Sequence, residues 1–462
     1  MLKMYYAKKV KLLLNIEGSF VNHVVSNLFA LLMIVSLSLT ALCGQIMEPS
    51  YAPFEQYQHT VSYVQAKNLI DNYLRLDAEF DNYISLAPDH LDIFTSPATK
   101  QANEPEFTLF FGTQSSPVEQ KKLQLFNPEQ PLAGLRIALD PGHLGGNMAQ
   151  LEERFIDIPV QNGKSACTFN EGTLTAATAC YLRDMLVSLG AEVMLTKGKP
   201  GQAVYEVSFN DWCKQTFDIH TEADWATAAT QQKLISFLQS DAIPNIENRA
   251  ARIAELVSLS SQAAATRLKQ SLLRLCYNQL DLRARTAKIN DWQPDLTLAL
   301  HYNAHGPNSN YKTISANYNM TFIPGGIEGA ALRNKTTRIA LIRFLVTPIV
   351  EQSHVLSLCI TQAMTEELGV KPLKTPYPNS RLVETGVYAR NLALLRNTES
   401  PMCYAESLVQ NNHDEAVRLS QKDDVIDGII APSRIKQVAK AYTNGICAYW
   451  EALNSNSVSP QS

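Results

Sequence analysis

This sequence predicts a three-layer α/β/α fold with a mostly parallel, twisted central sheet, and three observations carry the prediction. The apolar run Leu135 to Leu139 stops at Asp140-Pro141-Gly142, the pattern of a short buried strand ending in a tight turn. Between Asn170 and Gly190, apolar residues recur at helical spacing (Leu174, Ala177, Tyr181, Leu182, Met185, Leu186, Leu189), and a strand-like Ala191 to Thr196 follows. Far downstream, Asp295 to Leu300 is another short apolar strand. Strand, helix, strand is the repeating unit of a parallel sheet with helices on its faces.

With 462 residues, 45% hydrophobic and 18% charged, the chain can bury a sizeable core and carry accessory parts, as two domains or as one with large insertions. At its start, Lys3, Lys8, Lys9 and Lys11 precede an uncharged apolar run from Leu28 to Leu42. That run is shorter than the roughly 20 residues a membrane-spanning helix needs and suits the core of an export signal. We expect a cleaved signal over 1–44 and a periplasmic mature protein. Thr40-Ala-Leu-Cys43 resembles a lipoprotein cleavage site except for the large Leu42, so lipid anchoring through Cys43 stands as the alternative. Loss of the segment removes four lysines and Glu17, taking the net charge from −4 to about −7, which gives no reason to expect nucleic acid as a partner. The eight cysteines are scattered with no C-x-x-C pair, which argues against a zinc ribbon or a redox motif, and Cys180 and Cys403 sit in apolar patterns as core residues.

Residues 45–131 read as an N-terminal accessory region, a small domain or a wrap around the core. It has helical periodicity over Phe54 to Leu74 and a strand at Phe107 to Phe111, and its aromatic residues are read as packing. The catalytic domain is expected over 132–455. Within it, 198–281 interrupts the α/β pattern. Asp224 to Leu238 and Glu247 to Leu275 read there as two helices joined across Asp241 to Pro244, an antiparallel hairpin rooted beside the cleft. Later come a strand at Asn317 to Phe322, a basic amphipathic helix over Arg333 to Val346 near the cleft, a helix from His354 to Leu368 ended by Gly369, and a strand at Met402 to Ala405.

Chemistry-bearing side chains fall where these elements end. His143 follows the first strand and is either a metal ligand or a solvated loop residue. Asn170 is a good N-cap, which puts Glu171 in the first helical turn, where the helix dipole alone would explain a carboxylate. His301 ends the strand from Asp295, with Asn303 and His305 on the same side if the chain stays extended. Two histidines and one carboxylate make a three-ligand zinc site with a fourth position left for water.

Taken in order, Leu139-Asp-Pro-Gly-His143, Glu171 opening a helix, Arg285 five residues before Asn290, Leu300-His301-Tyr-Asn303-Ala304 and Pro401-Met-Cys-Tyr-Ala-Glu406 resemble the zinc-dependent N-acetylmuramoyl-L-alanine amidases, the amidase_3 type of catalytic domain. The resemblance runs from about Leu135 to Leu419. It implies the layering of the zinc exopeptidases and phosphorylase/hydrolase-like folds, with zinc held by His143, Glu171 and His301 and with Glu406 as the catalytic carboxylate. It implies hydrolysis of the bond between the muramic-acid lactyl group and L-alanine in peptidoglycan, zinc activating the water and Glu406 moving its proton. Asn303, His305 and Arg390 are the candidate substrate contacts, His413 a lesser one, and Arg285 is expected to pair inside the fold. Muropeptide stems are the expected partner, with room for a protein activator. One departure stands out: the family's glycine-rich turn with an aspartate after the first histidine is replaced by Leu144 to Arg154. Rival readings are a zinc carboxypeptidase or another amidase of related fold, and a non-catalytic wall-binding protein, against which the intact quartet His143, Glu171, His301 and Glu406 argues.

Overall fold

The computed structural model describes residues 49–117, 127–159, 166–240 and 249–457. The expected export signal over 1–44, Cys43 and the joint over Asp241 to Pro244 lie outside them. The elements that follow all belong to the unit Pro53–Ser462.

Ser62 opens α1 (Tyr63–Leu69) with a reciprocal capping box to Gln65, and a π turn over Ile70–Leu74 closes it. The helix is therefore shorter than the expected Phe54 to Leu74. Strands β1 (Ile84–Leu86), β2 (His90–Ile93) and β3 (Phe107–Phe110) form a small antiparallel sheet, and Leu91 of β2 is completely buried, as is Phe80. This region is fastened by main-chain contacts: Gly326 and Ile327 donate to the carbonyls of Tyr73 and Leu74 at 2.8 and 2.7 Å. A Cβ on Gly329 would lie 2.2 Å from the Glu79 carbonyl carbon, so only glycine fits there.

The main sheet begins with β4 (Arg136–Pro141), continues through the hairpin β5 (Phe155–Ile158) and β6 (Cys167–Asn170) into α2 (Glu171–Ser188), and returns as β7 (Glu192–Leu195). The Asn170 side chain accepts from Thr173 N at 2.9 Å, the expected cap. The insertion is helical but is not a two-helix hairpin. It comprises α3 (Phe209–Phe217), α4 (Ala228–Gln239), α5 (Arg249–Ser258) and α6 (Ser261–Leu272), and a π turn at Leu273–Tyr277 carries it into α7 (Asn278–Trp292). Two local signals explain the difference. Extended Ser260 breaks the long second helix between α5 and α6, and Ser208, accepting from Asp211 N, starts the unexpected α3. The insertion has its own apolar core around Phe209, Trp212, Trp225, Leu268 and Tyr277, and Leu144 belongs to it.

Then follow β8 (Leu296–Asn303), β9 (Met320–Ile323), α8 (Lys335–Val346), α9 (Ile349–Leu368), β10 (Arg381–Glu384), β11 (Val387–Ala389), β12 (Met402–Val409), α10 (His413–Leu419) and α11 (Arg434–Ser457). The seven strands lie in the order β10-β11-β9-β12-β8-β4-β7. Neighbours β7, β4, β8 and β12 run parallel, β9 and β11 run against them, and β10 turns back as a hairpin. Strand alternation then sorts the two faces. Ile137, Leu139, Leu298 and Leu300 pack under α2, α9 and α11, while Ala138 and Ala299 pack with Ile289 of α7 on the other face. These are the three expected layers. Each leucine so buried contributes about 1.5–3 kcal/mol. Helix α8 differs from its reading: most of it is buried, and Arg338 pairs with Glu106 of the N-terminal region at 2.6 and 3.1 Å rather than lying beside the cleft. All seven described cysteines are free.

Candidate active site

Parallel pairing of the adjacent interior strands β4, β8 and β12 brings His143, His301 and Glu406 toward the same end of the sheet. Pro141 stands beside Leu300, and His301 beside Glu406. Gly142 N then donates to Leu300 O at 2.9 Å, and a Cβ on Gly142 would fall 2.2 Å from the His301 ring. The missing side chain lets the two histidines come together, their rings 4.9 Å apart edge to face.

His143 adopts left-handed backbone (φ 54°), an uncommon conformation for a residue with a side chain. Its Nε2 lies 3.3 Å from Glu171 Oε2, and its Nδ1 3.6 Å from Glu152 Oε1. Glu171 opens α2 as expected. Its Oε1 accepts from Tyr302 N and meets His301 Nδ1, both at 3.1 Å, while Oε2 accepts from Gln410 Nε2 at 3.3 Å. One potential ligand atom from each of His143, Glu171 and His301 lies within 4.8 Å of the others. His301 is buried and stacks flat on Tyr404, centroids 4.2 Å apart.

The electrostatics follow from that crowding. Burial would raise Glu171, but His143 and His301 outweigh it and hold the carboxyl well below its usual range. Burial pulls His301 down to about 4 against the bond to Glu171 that raises it. Burial also pulls on His143, yet Glu171 and Glu152 win and its net shift is upward. Glu406 moves the opposite way from Glu171: burial, then the neighbouring Glu171 charge, push it up to about 8, against His143, Arg154 and Arg390. Its Oε2 is buried and has no hydrogen-bond partner among the described residues. Glu406 is not at a strand end as expected. Strand β12 runs on to Val409, with a register shift between Glu406 and Val409 that interrupts the pairing.

The remaining expected residues fall into two groups. Asn303 Nδ2 donates to the Tyr318 hydroxyl at 2.9 Å and His305 Nδ1 meets the same hydroxyl at 2.8 Å, so the structure brings this pair together. Arg390 lies over the rings of Phe322 and Tyr377, 5.1 and 5.6 Å to the centroids. His413 stands apart. It is the first residue of α10, its Nδ1 meets Thr313 Oγ1 at 2.5 Å, and among the described residues it has no bond to the trio. Arg285 pairs inside the fold as expected, with Asp281 Oδ2 at 2.7 Å and Pro141 O at 3.2 Å. Sequence reading missed Glu152, Arg154, Lys197 and Tyr404. Burial lowers Lys197 to about 7, and its Nζ donates to the carbonyl of His143.

Residues 247–448 match the family described as N-acetylmuramoyl-L-alanine amidase, Amidase_3. The chain carries an N-acetylmuramoyl-L-alanine amidase domain. It is an enzyme, a peptidoglycan hydrolase acting on the amide bond between N-acetylmuramic acid and L-alanine. The match to the amidase family takes in Arg285, His301 and Glu406, begins inside the helical insertion, and leaves β4 and α2 outside. Solved structures similar to this amidase include the CwlD amidase from Clostridioides difficile in complex with the GerS lipoprotein (15% identity over 69% of this chain and 100% of that one, TM-score 0.35). Others are Ami1 from Mycobacterium abscessus (15%, 69% and 99%, TM-score 0.35) and the catalytic domain of CwlV from Bacillus (Paenibacillus) polymyxa var. colistinus (13%, 69% and 98%, TM-score 0.32). No curated protein matches the chain.

Proposed function

We propose that His143, Glu171 and His301 hold a catalytic zinc ion and that Glu406 is the acid/base group of the amidase reaction. The observation that carries this reading is the convergence of three ligand atoms within 4.8 Å beside a carboxylate paired in register with His301. The donor set fits the metal: two imidazoles and one carboxylate suit zinc with a fourth position left for water. Protonation fits as well. His301 is held neutral and Glu171 ionised, and binding a cation would release the proton that the two carboxylates favour on His143. Zinc, when bound, supplies Lewis acidity that polarises the scissile carbonyl and makes water a nucleophile near neutral pH.

Glu406 accepts the proton of the attacking water and returns it to the leaving nitrogen. Its unpartnered oxygen and raised proton affinity suit both halves of that transfer. Arg390, Asn303 and His305 are assigned to the bound stem peptide. Support comes from their neighbours: after burial, the Glu406 charge is among the causes that raise both Tyr318 and Tyr377. We read 1–44 as an export signal and 132–455 as the catalytic domain with its insertion at 198–281. Peptidoglycan as the substrate is consistent with export.

Metal analysis tests the assignment. The purified mature protein is expected to hold about one zinc per chain, to lose hydrolysis on chelation and to recover it when zinc is returned. His143→Ala and His301→Ala should each strip the metal, and full occupancy in both variants would sink the ligand set.

A further inference from the structure

The segment Leu144 to Arg154, where the sequence leaves the family pattern, contains a buried carboxylate that the reaction does not use. Glu152 is 3% exposed, with one oxygen bonded to the turn after the first histidine and the other within ion-pair distance of its ring. Oε1 faces His143 Nδ1 at 3.6 Å, and Oε2 accepts from Leu144 N at 2.8 Å and Gly145 N at 3.1 Å. The opposite ring nitrogen, Nε2, points at Glu171. We propose that Glu152 is a positioning residue of the metal centre, holding the His143 ring through Nδ1 so that Nε2 is the ligand atom.

Two features of the turn make such a hold necessary. His143 sits at φ 54°, a backbone conformation uncommon for a residue with a side chain, which neighbouring contacts must sustain. The contacts are there: Lys197 donates to the His143 carbonyl, Arg285 to the Pro141 carbonyl at 3.2 Å, and Thr175 Oγ1 to the Gly142 carbonyl at 2.7 Å. They fix the main chain but leave the imidazole free to rotate about its side-chain bonds. Among the described residues, only Glu152 and Glu171 engage the ring in ion pairs, and Glu171 is itself a ligand in the proposed site. A metal-bound histidine that gives its second nitrogen to a carboxylate is oriented and made more basic. Removing such a partner typically costs about 10–100-fold in metal affinity.

The inference rests on His143 being a ligand, and the experiment separates the two ideas. Zinc affinity of the purified full-length protein is measured by competition with a chromophoric chelator for wild type, Glu152→Gln, Glu152→Asp and His143→Ala. Glutamine keeps an oxygen for Leu144 N and Gly145 N while losing the charge, so Glu152→Gln should bind zinc about 10–100-fold more weakly and regain hydrolysis at saturating zinc. Glu152→Asp, which keeps the charge on a shorter arm, should fall between it and wild type. Wild-type affinity in Glu152→Gln with loss in His143→Ala would overturn the positioning role and leave the ligand set standing. Unchanged affinity in His143→Ala would overturn both. Should Glu152→Gln not fold, the Glu152→Asp affinity decides, and a value equal to wild type would refute the proposal.

Discussion

At the scale of single residues, the proposed site turns on two positions with opposite requirements, a carboxylate assigned to proton transfer and a glycine whose lack of a side chain leaves room for the His301 ring. Glu406→Gln keeps shape but cannot take a proton, so hydrolysis is expected to fall about 10²–10⁴-fold while zinc content stays at the wild-type level. Turnover and metal measured on one preparation distinguish this from a fourth ligand, which would lose zinc, and from a bystander, which would lose neither. Gly142→Ala puts a methyl group 2.2 Å from the His301 ring, and the ring must swing away. We expect that variant to bind zinc more weakly than wild type in a chelator competition; equal affinity would show that His301 tolerates the displacement. The sequence made His143, Glu171 and His301 legible because each stands where an apolar run stops or a helix begins. Glu152 was hidden because its role depends on a turn between Leu144 and Arg154 that no periodicity describes. Tyr404 was hidden for another reason: in an apolar strand, an aromatic ring under a histidine looks the same as one in the core.

Elements tell a similar story about local and distant information. Helix α2 could be read from end to end because Asn170 caps it and Leu174, Ala177, Tyr181, Leu182 and Leu186, all buried, recur at helical spacing. The insertion could be read as helical but not as a bundle. The break at Ser260 and the start at Ser208 are single-residue capping events, and the core that unites the helices draws on Leu144 from outside them. That packing leads to an expectation. Gly201 N donates to Leu144 O at 2.7 Å, and Arg267 Nη1 reaches Glu153 at 3.0 Å, so the insertion braces the turn that follows His143. Replacing Thr221 to Leu275 by a short Gly/Ser loop should therefore slow hydrolysis of a small muropeptide as well as of polymeric peptidoglycan. If only the polymer rate changes, the insertion acts on substrate access and the brace is immaterial.

At the scale of the whole unit Pro53–Ser462, main-chain bonds fasten the segment around Tyr73 and Leu74 to Gly326 and Ile327 beside the sheet, and the same joint leaves no room for a side chain at Gly329. Gly329→Ala drives a methyl group into the backbone of Glu79 and Phe80, and overpacking of that kind costs about 1–3 kcal/mol. Urea denaturation should show the loss with zinc content unchanged; an unaltered midpoint would mean the N-terminal region yields at little cost. The sheet order has a temporal consequence as well. Strand β12 lies between β8 and β9, both earlier in the chain, so the residue assigned to proton transfer reaches its place only when a strand made late in synthesis enters the middle of a sheet whose other strands precede it. A nascent or interrupted chain ending before Met402 would carry His143, Glu171 and His301 but lack both that strand and the proton carrier. No product that stops short of that strand would then degrade the wall, because activity waits for the completed sheet.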